Sequence, residues 1–378
     1  MGKIDDLIKE LCPDGVSMWS LGDLEDSGKI KLGRGMVISK NDIADNPGNY
    51  PVYSSSATGL GEFGRYSKYM FDDERITWSV DGGGRFFHRK AHKYSVTNVS
   101  GWIKVNDTNI ITKYLYYVLD NLWLMKKFDY VRKAHPSVIR NEYNIPVPPL
   151  EVQKEIVRVL DSFTELEAEL EAELEARKKQ YEYYRNTLLT FNERERERVE
   201  YVQIGDICNM KRGKRVVKSQ LNDTGSYPVY QNSLLPLGFF NEYNCRAGSV
   251  FMISAGAAGN IGFSNVDFWA ADDCWIFDCS QNLSERFLYY ALKNQQNTIN
   301  SGVRRSSIPR LSRSFIENIK IPLPSLEKQK QIVSILDKFE KLTNNISIGL
   351  PAEIEARRKQ YEYYRDKLLT FKKLERSR

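Results

Sequence analysis

The sequence predicts an α+β protein in which two globular α/β domains are separated by two long helices, the whole forming a pseudo-two-fold internal repeat. Three observations carry that prediction. EARKKQYEYYRNTLLTF at residues 175–191 returns as EARRKQYEYYRDKLLTF at 355–371, with fourteen of seventeen letters shared. IPVPPLEVQKEIVRVLDSF at 145–163 returns as IPLPSLEKQKQIVSILDKF at 321–339. The stretches between these copies echo one another more faintly: LGDL (21–24) answers IGDI (204–207), NYPVYSSSATGLGEFGRY (49–66) answers SYPVYQNSLLPLGFFNEY (226–243), and YLYYVLDN (114–121) answers FLYYALKN (287–294). The domain plan is therefore 1–144, 145–198, 199–320 and 321–378, alternating globular and helical.

At 378 residues the chain is long enough for two domains with cores of their own. Its 41% hydrophobic and 28% charged residues are ordinary for a globular protein, and no apolar run approaches the roughly 20 residues of a membrane span. No membrane partner is expected. Residues 1–20 carry Lys3, Asp5, Asp6, Lys9 and Glu10, too much charge for a secretory signal, so the expected location is the cytoplasm. Cys12, Cys208, Cys245, Cys274 and Cys279 form an odd set without a CxxC pair and are expected as reduced thiols. A net charge of +6 suits an anionic partner without requiring one.

In the first domain, YPVYS and RITWSV read as strands between Gly/Asn/Asp-rich loops, and an aromatic helix closes the domain. The helical region follows the Pro-limited IPVPPL. Ile156, Leu160, Phe163, Leu166, Leu170, Leu174, Tyr181, Tyr184, Leu188 and Phe191 recur at steps that form one stripe. With no Gly or Pro from about 150 to 191, one helix of roughly 60 Å is expected. So long a stripe needs a partner, which the second copy supplies through Tyr361, Tyr364, Leu368 and Phe371. The first copy carries three ELEA tetrads at 165–176, each lengthening a helix by ~6 Å while turning it about 400°. Adding or removing a tetrad keeps the stripe nearly in register. The second copy has SIGLPAE at 347–353 instead, and Gly349 with Pro351 predicts a kink or short break. The second domain repeats the first, with SVFMIS and CWIFDC as strands.

Both domains place a Gly-rich turn after a strand, SVDGGGRFF at 79–87 and SAGAAGNIGF at 254–263. Neither is a dinucleotide fingerprint, and a tight hairpin is the plainer reading; small residues such as Gly83 would also let backbone approach a phosphate, and Asn260 is a candidate DNA contact beside them. Basic residues cluster beside these turns: Lys31, Arg34, Arg85, His88, Arg89, Arg132 and Lys133 in the first domain. The second has Lys211, Arg212, Lys214, Arg215 and Lys218 in KRGKRVVK, and Arg304, Arg305 and Arg310 in VRRSSIPRLSR. Interleaved with Ser, Asn and Gln, such runs fit chemistry in which cations track phosphates while Arg, Asn or Gln read base edges. Gln231 and Asn232 follow YPVY in one domain where Ser54 and Ser55 follow it in the other, a slot where two readers of different sequences would differ.

Catalytic sets are missing from the sequence. There is no phosphate-binding GxxxxGK loop, no HExxH, no GxSxG elbow and no Asn/Asp-Pro-Pro-aromatic motif. His88 and His92 have metal-compatible spacing without an evident third ligand, and Asp72, Asp73, Asp272 and Asp273 read as loop residues. No metal site and no catalytic residue is expected.

These features together resemble the specificity subunit of type I restriction-modification systems. The likeness rests on LCPDGV with LGDL, both IP-PxLExQKxIVxxLD segments and both QYEYYR tails, and so covers nearly the whole chain. It implies two target-recognition domains, each reading half of a split DNA site. It also implies two helical regions forming an antiparallel coiled coil that docks two methyltransferase subunits, with restriction subunits joining the assembly. No cofactor is then expected on this chain; S-adenosylmethionine, and ATP with magnesium for restriction, would belong to the partners. The resemblance gives the ELEA tetrads a meaning as a ruler for the DNA spacer. The alternative reading is a coiled-coil scaffold whose two domains bind non-DNA partners.

Overall fold

The structure is a computed structural model that describes residues 2–374 apart from 56–58, 82–84, 124, 127, 130, 192–198, 223–224 and 345–348. The first domain contains α1 (Gly2–Leu11), β1 (Ser17–Ser20), α2 (Leu21–Asp26), β2 (Ile30–Arg34), α3 (Lys40–Asp45), β3 (Pro47–Tyr53), β4 (Glu62–Tyr66) and β5 (Arg75–Ser79). It continues with β6 (Phe86–Arg89), β7 (Ser95–Val96), β8 (Ser100–Val105), α4 (Thr112–Trp123), α5 (Pro136–Glu142) and β9 (Asn144–Val147). The long helix α6 (Leu150–Leu189) follows. The second domain runs through β10 (Glu200–Gln203), α7 (Ile204–Ile207), β11 (Cys208–Arg212), β12 (Tyr227–Tyr230), β13 (Gly238–Phe240), β14 (Val250–Ile253), β15 (Ile261–Phe263), β16 (Trp269–Ala270) and β17 (Cys274–Cys279). Then come α8 (Glu285–Asn294), α9 (Gln296–Ser301), α10 (Arg313–Glu317), β18 (Lys320–Leu323), α11 (Leu326–Asn344) and α12 (Leu350–Leu368).

The chain divides into two compact units, and the division does not follow the sequence order. One unit holds residues 1–169 together with 354–378; the other holds 170–353. Each globular domain therefore takes half of α6 and one of the two shorter helices. The expected break in the second copy is present, since α11 ends before 345 and α12 begins at Leu350 with Pro351 in its first turn.

Within the first unit the sheets are β2-β8-β5-β6, β4-β3-β7 and β1-β9. The second unit repeats this plan as β11-β17-β14-β15, β13-β12-β16 and β10-β18. Even the parallel strand pairing recurs, Val52 opposite Ser95 in one unit and Val229 opposite Trp269 in the other. Both Gly-rich segments connect antiparallel neighbours, β5 with β6 and β14 with β15, as a hairpin does, but through loops longer than the tight turn expected, and residues 82–84 of the first lie outside the described residues. In the second of them Gly256 and Gly259 take φ of +84° and +88°, values that a side chain disfavours. After the first strand of each four-stranded sheet, Gly35 and Gly213 pass so close to a neighbouring segment that an added Cβ would lie 2.1 Å from the Val96 or Ala271 carbonyl oxygen.

One buried glutamine ties each globular domain to its helix. Gln153 and Gln329 are both 0% exposed. Gln153 Nε2 donates to the carbonyls of Asn109 and Pro148, both at 2.8 Å, while its Oε1 accepts from the Ile111 N–H at 2.9 Å. Gln329 makes the same three bonds, to Asn282, Pro324 and Ser284, each at 2.8 Å. A carboxylate about two turns farther on repeats the tie: Asp161 accepts from Tyr117 at 2.6 Å and pairs with Lys113 at 2.7 Å, and Asp337 accepts from Tyr290 at 2.6 Å and pairs with Arg286 at 2.7 Å.

The helix seams are aromatic. In the first unit Phe163 of α6 stacks on Tyr364 of α12, with centroids 5.5 Å apart, and meets Tyr361 at 6.4 Å. In the second, Tyr184 of α6 stacks on Phe339 of α11 at 5.3 Å, and Tyr181 meets it at 6.4 Å. Each QYEYYR tail thus packs on the LDxF segment of the other copy. Contacts of Phe163 with Tyr364 and of Glu167 with Arg358 (2.5 Å) set α12 antiparallel to its half of α6. Leu368 is 1% exposed and Phe371 packs against the same core; Phe191 is 4% exposed, with Leu188 packed beside it. Leu166, Leu170 and Leu174 are only half-buried, so the tetrads form the thin part of the stripe.

Because Gln329 holds three backbone groups, one in a buried bond and two in partly buried ones, Gln329→Ala leaves all three without that partner. The expected loss is about 3 kcal/mol, read as a lower urea midpoint; a loss under about 1 kcal/mol would show the clamp to be dispensable.

Candidate nucleic-acid interface

One end of the second unit gathers loops from distant parts of the sequence, sewn together by backbone hydrogen bonds. Gly256 N–H donates to Pro309 at 3.1 Å, Ala257 N–H to Asn232 at 2.9 Å, Leu311 N–H to Ser254 at 2.9 Å and Ser254 N–H to Asp273 at 2.7 Å. The loop after β11 joins them through Lys214 N–H to Ala270 at 3.0 Å and Arg212 Nε to the Asp272 carbonyl at 2.7 Å. Both basic segments singled out in the sequence are thereby brought to one surface with Asn232 and Asn260.

On this surface Lys214, Arg215, Lys218, Arg304, Arg305 and Arg310 are exposed and have no ion-pair partner among the described residues. Arg304 and Arg310 face each other across a small antiparallel bridge, exchanging backbone bonds of 2.9 and 3.1 Å. Two like charges in cross-strand register repel unless a counterion lies between or above them. The side-chain amides of Asn232 and Asn260 have no partner among the described residues either; Asn232 is held through its backbone carbonyl, and Asn260 through its backbone carbonyl and N–H. Gln231 is half-buried and accepts the Cys274 thiol on its carbonyl at 3.3 Å. Lys211 is taken by Asp278 at 2.5 Å, and Arg212 lies over the Trp275 ring at 6.0 Å, so these two are braced from within the domain.

The corresponding end of the first unit is built alike but carries fewer free cations. Met36 N–H donates to Val96 at 3.1 Å, and Ala134 N–H to Val80 at 2.9 Å. Arg34 donates Nε and Nη2 to the Asn98 carbonyl at 3.0 and 2.5 Å. Ser54 Oγ shares a hydrogen bond with Thr97 Oγ1 at 2.8 Å, while Ser55 bonds Ser79 and the Asp81 carbonyl, so both hydroxyls hold the loop. Lys133 pairs with Asp81 at 2.8 Å, Arg132 with Glu142 at 2.5 Å, and His88 with Glu74 at 2.6 Å. Lys31 and Arg85 are exposed; Arg85 lies over Phe87 at 5.7 Å and is turned toward Tyr116 and Asp120 of α4, so it too is engaged within the unit. Gly83 lies outside the described residues.

Arg89 is a correction. Expected on the surface, it is 5% exposed, stacked 3.6 Å over Tyr53, with Nε on Thr77 Oγ1 at 3.1 Å and Nη2 on the Leu60 carbonyl at 2.8 Å. Burial pushes its pKa down to about 10, which still leaves it charged at neutral pH. Its donors are spent inside the domain. Met36 and Val37, not among the expected contacts, are 59% and 76% exposed and follow Arg34-Gly35 as Lys214 and Arg215 follow Arg212-Gly213. The shared Arg-Gly pair was the available signal.

Among the described residues no three His, Cys, Asp or Glu side chains gather as a metal site, and no helix is long and apolar enough to cross a membrane.

The family model described as the type I restriction modification DNA specificity domain matches the chain twice, at residues 13–176 and 196–356. The chain is 32% identical over 360 residues to a putative type I restriction enzyme specificity subunit of Haemophilus influenzae, covering 86% of this chain and 89% of that one. It is 33% identical over 354 residues to the EcoR124I/EcoR124II specificity subunit of Escherichia coli, with 85% of each chain covered. A crystal structure of a type I restriction-modification S subunit from M. genitalium shares the fold, with a TM-score of 0.65 at 20% identity over 94% of this chain and 96% of that one. Two matches to one domain model, duplicated sheets and a duplicated helical seam all describe the same object, and the chain belongs to the type I restriction-modification specificity family.

Proposed function

We propose that this chain reads a bipartite double-stranded DNA target and contributes recognition, without catalysis, to a complex with methyltransferase subunits. The observation that carries the reading is the Arg304/Arg310 pair, two opposed cations at the meeting point of five loops with Lys214, Arg215 and Arg305 exposed nearby. A phosphate backbone supplies the counter-charge they need, and Asn232 and Asn260 have free amides that could meet base edges. The first unit would read the other half-site through Lys31 and the Met36-Val37 edge, whose apolar side chains suit a thymine methyl group.

Docking follows from the duplication. Tyr183 and Tyr363, at matching places in the two tails, are 64% and 63% exposed. A repeated exposed aromatic on a repeated helix suits two copies of one partner. The partners would be two methyltransferase subunits, with restriction subunits joining, and they rather than this chain would hold S-adenosylmethionine, ATP and magnesium. An adenine flipped from the duplex would be methylated by them.

Replacing Arg304 and Arg305 by Ala in the assembled complex should lower the slope of log affinity against log salt by about 2 and weaken binding to a target duplex. An unchanged slope, measured by fluorescence anisotropy, would point to the scaffold reading instead. Deleting one tetrad (Glu169 to Ala172) should change the spacer between half-sites by at most about two base pairs, at ~3.4 Å each, and leave the half-sites alone. Mapping methylated adenines in host DNA checks this; changed bases with a constant spacer would refute the ruler. Tyr183→Ala with Tyr363→Ala should weaken assembly with the methyltransferase on a sizing column while the thermal midpoint of the isolated chain stays put.

A further inference from the structure

Cys208 and Cys279 stand directly opposite each other in the antiparallel pairing of β11 with β17, and their sulfurs are 3.6 Å apart in a shared hydrogen bond. Side chains of such partners lie on the same face of a sheet, and their Cα separation in an antiparallel ladder, about 4.5–5.5 Å, falls inside the range that a disulfide spans. To close the bond the sulfurs have to come from 3.6 Å to the ~2.05 Å of a disulfide. β11 is the edge strand of its sheet, and Cys279 is only half-buried, so small reagents can reach the pair from the side of Cys279.

The other three thiols are committed differently. Cys274 donates to the carbonyls of Tyr230 and Gln231 at 3.3 Å, and Cys245 to Asn244 Oδ1 at 3.3 Å. Cys12 is buried in the core of the first unit. The fold does not call for sulfur at the paired position either, because the first unit fills the equivalent place in β2 and β8 with Ile30 opposite Val105.

We propose that Cys208 and Cys279 form a reversible dithiol–disulfide site, closed by exchange with low-molecular-weight disulfides. One protein thiolate attacks the oxidant's S–S bond, forming a mixed disulfide and releasing the first small thiolate, which takes up a proton. The second protein sulfur, giving up its own proton, then displaces the other small thiolate. Two S–H bonds and one S–S bond become one S–S bond and two S–H bonds, with the protein sulfurs oxidised and the small disulfide reduced. The Cys208 neighbour and burial together hold the Cys279 thiol protonated well above the ordinary range, so closure speeds up as pH rises. The new bond would pin the start of β11, the strand that leads into the Lys211–Lys218 segment, to the sheet's interior strand.

The test is incubation of the purified full chain with oxidised glutathione at several pH values, followed by thiol titration in denaturant and peptide mass spectrometry. Five free thiols should fall to three, a 208–279 cross-linked peptide two hydrogens lighter should appear, and dithiothreitol should reverse both. Closure should be faster at pH 9 than at pH 7, and the urea midpoint should rise on oxidation. Cys208→Ile with Cys279→Val, the pair used by the other repeat, should keep the fold and retain three thiols before and after oxidant. Five thiols persisting throughout, a stable glutathione adduct on one cysteine, or a cross-link involving Cys245 or Cys274 would each overturn the assignment.

Discussion

The architecture depends on the pairing of each tyrosine-rich tail with the helix segment of the other repeat. A stripe of apolar residues forty residues long on α6 exceeds what either shorter helix can cover, and the two halves are served separately. Phe163 with Tyr364, and Tyr184 with Phe339, are the anchor points, and their near-identical centroid distances show one contact built twice. From those anchors the rest follows. Asp161 and Asp337 hold the aromatic helix of each globular domain, while Gln153 and Gln329 hold the turn that enters the helical region. A domain of either sort has no complete core of its own sequence neighbours.

Against this shared frame, divergence is confined to loop ends and to the solvent side of strands. At the end of the second unit the cations stand free, whereas those of the first are mostly engaged by Asn98, Asp81 and Glu142. The contrast between Met36-Val37 and Lys214-Arg215, after glycines held by the same close approach, shows how a rigid turn can present unlike chemistry on one backbone. Rigid glycine turns and backbone stitches leave the side chains as the variable.

Much of this was legible in the letters. The repeats located both seams, Gly349 and Pro351 marked the helix break, and YPVYS, RITWSV, SVFMIS and CWIFDC all contain strands. The pairing of tails across repeats was not legible, because periodicity says that a stripe needs a partner without saying which half meets which. Arg89 was misread for a related reason: a guanidinium beside Gly-rich turns looks like surface chemistry, and only the positions of Tyr53, Thr77 and Leu60 reveal a core stack. The glutamine clamps were missed although PPLEVQ and PSLEKQ stood in plain view, since a helical glutamine ordinarily reads as solvated. Lys211 and Arg212 had partners far along the chain, at Asp278 and Asp272, that no local pattern announces.

The backbone bonds between Val16 and residues 372–374 bear on how the protein is made. Val16 N–H donates to the Lys372 carbonyl and Leu374 N–H to the Val16 carbonyl, both at 2.9 Å, and α12 lies in the same unit. During synthesis the second unit has all its residues once Glu353 has emerged, while the first unit, begun earlier, still lacks its last helix. The half translated first is therefore the half completed last. Until then Phe163 has neither Tyr361 nor Tyr364 to pack against, so the aromatic seam of the earlier half closes only after that of the later one.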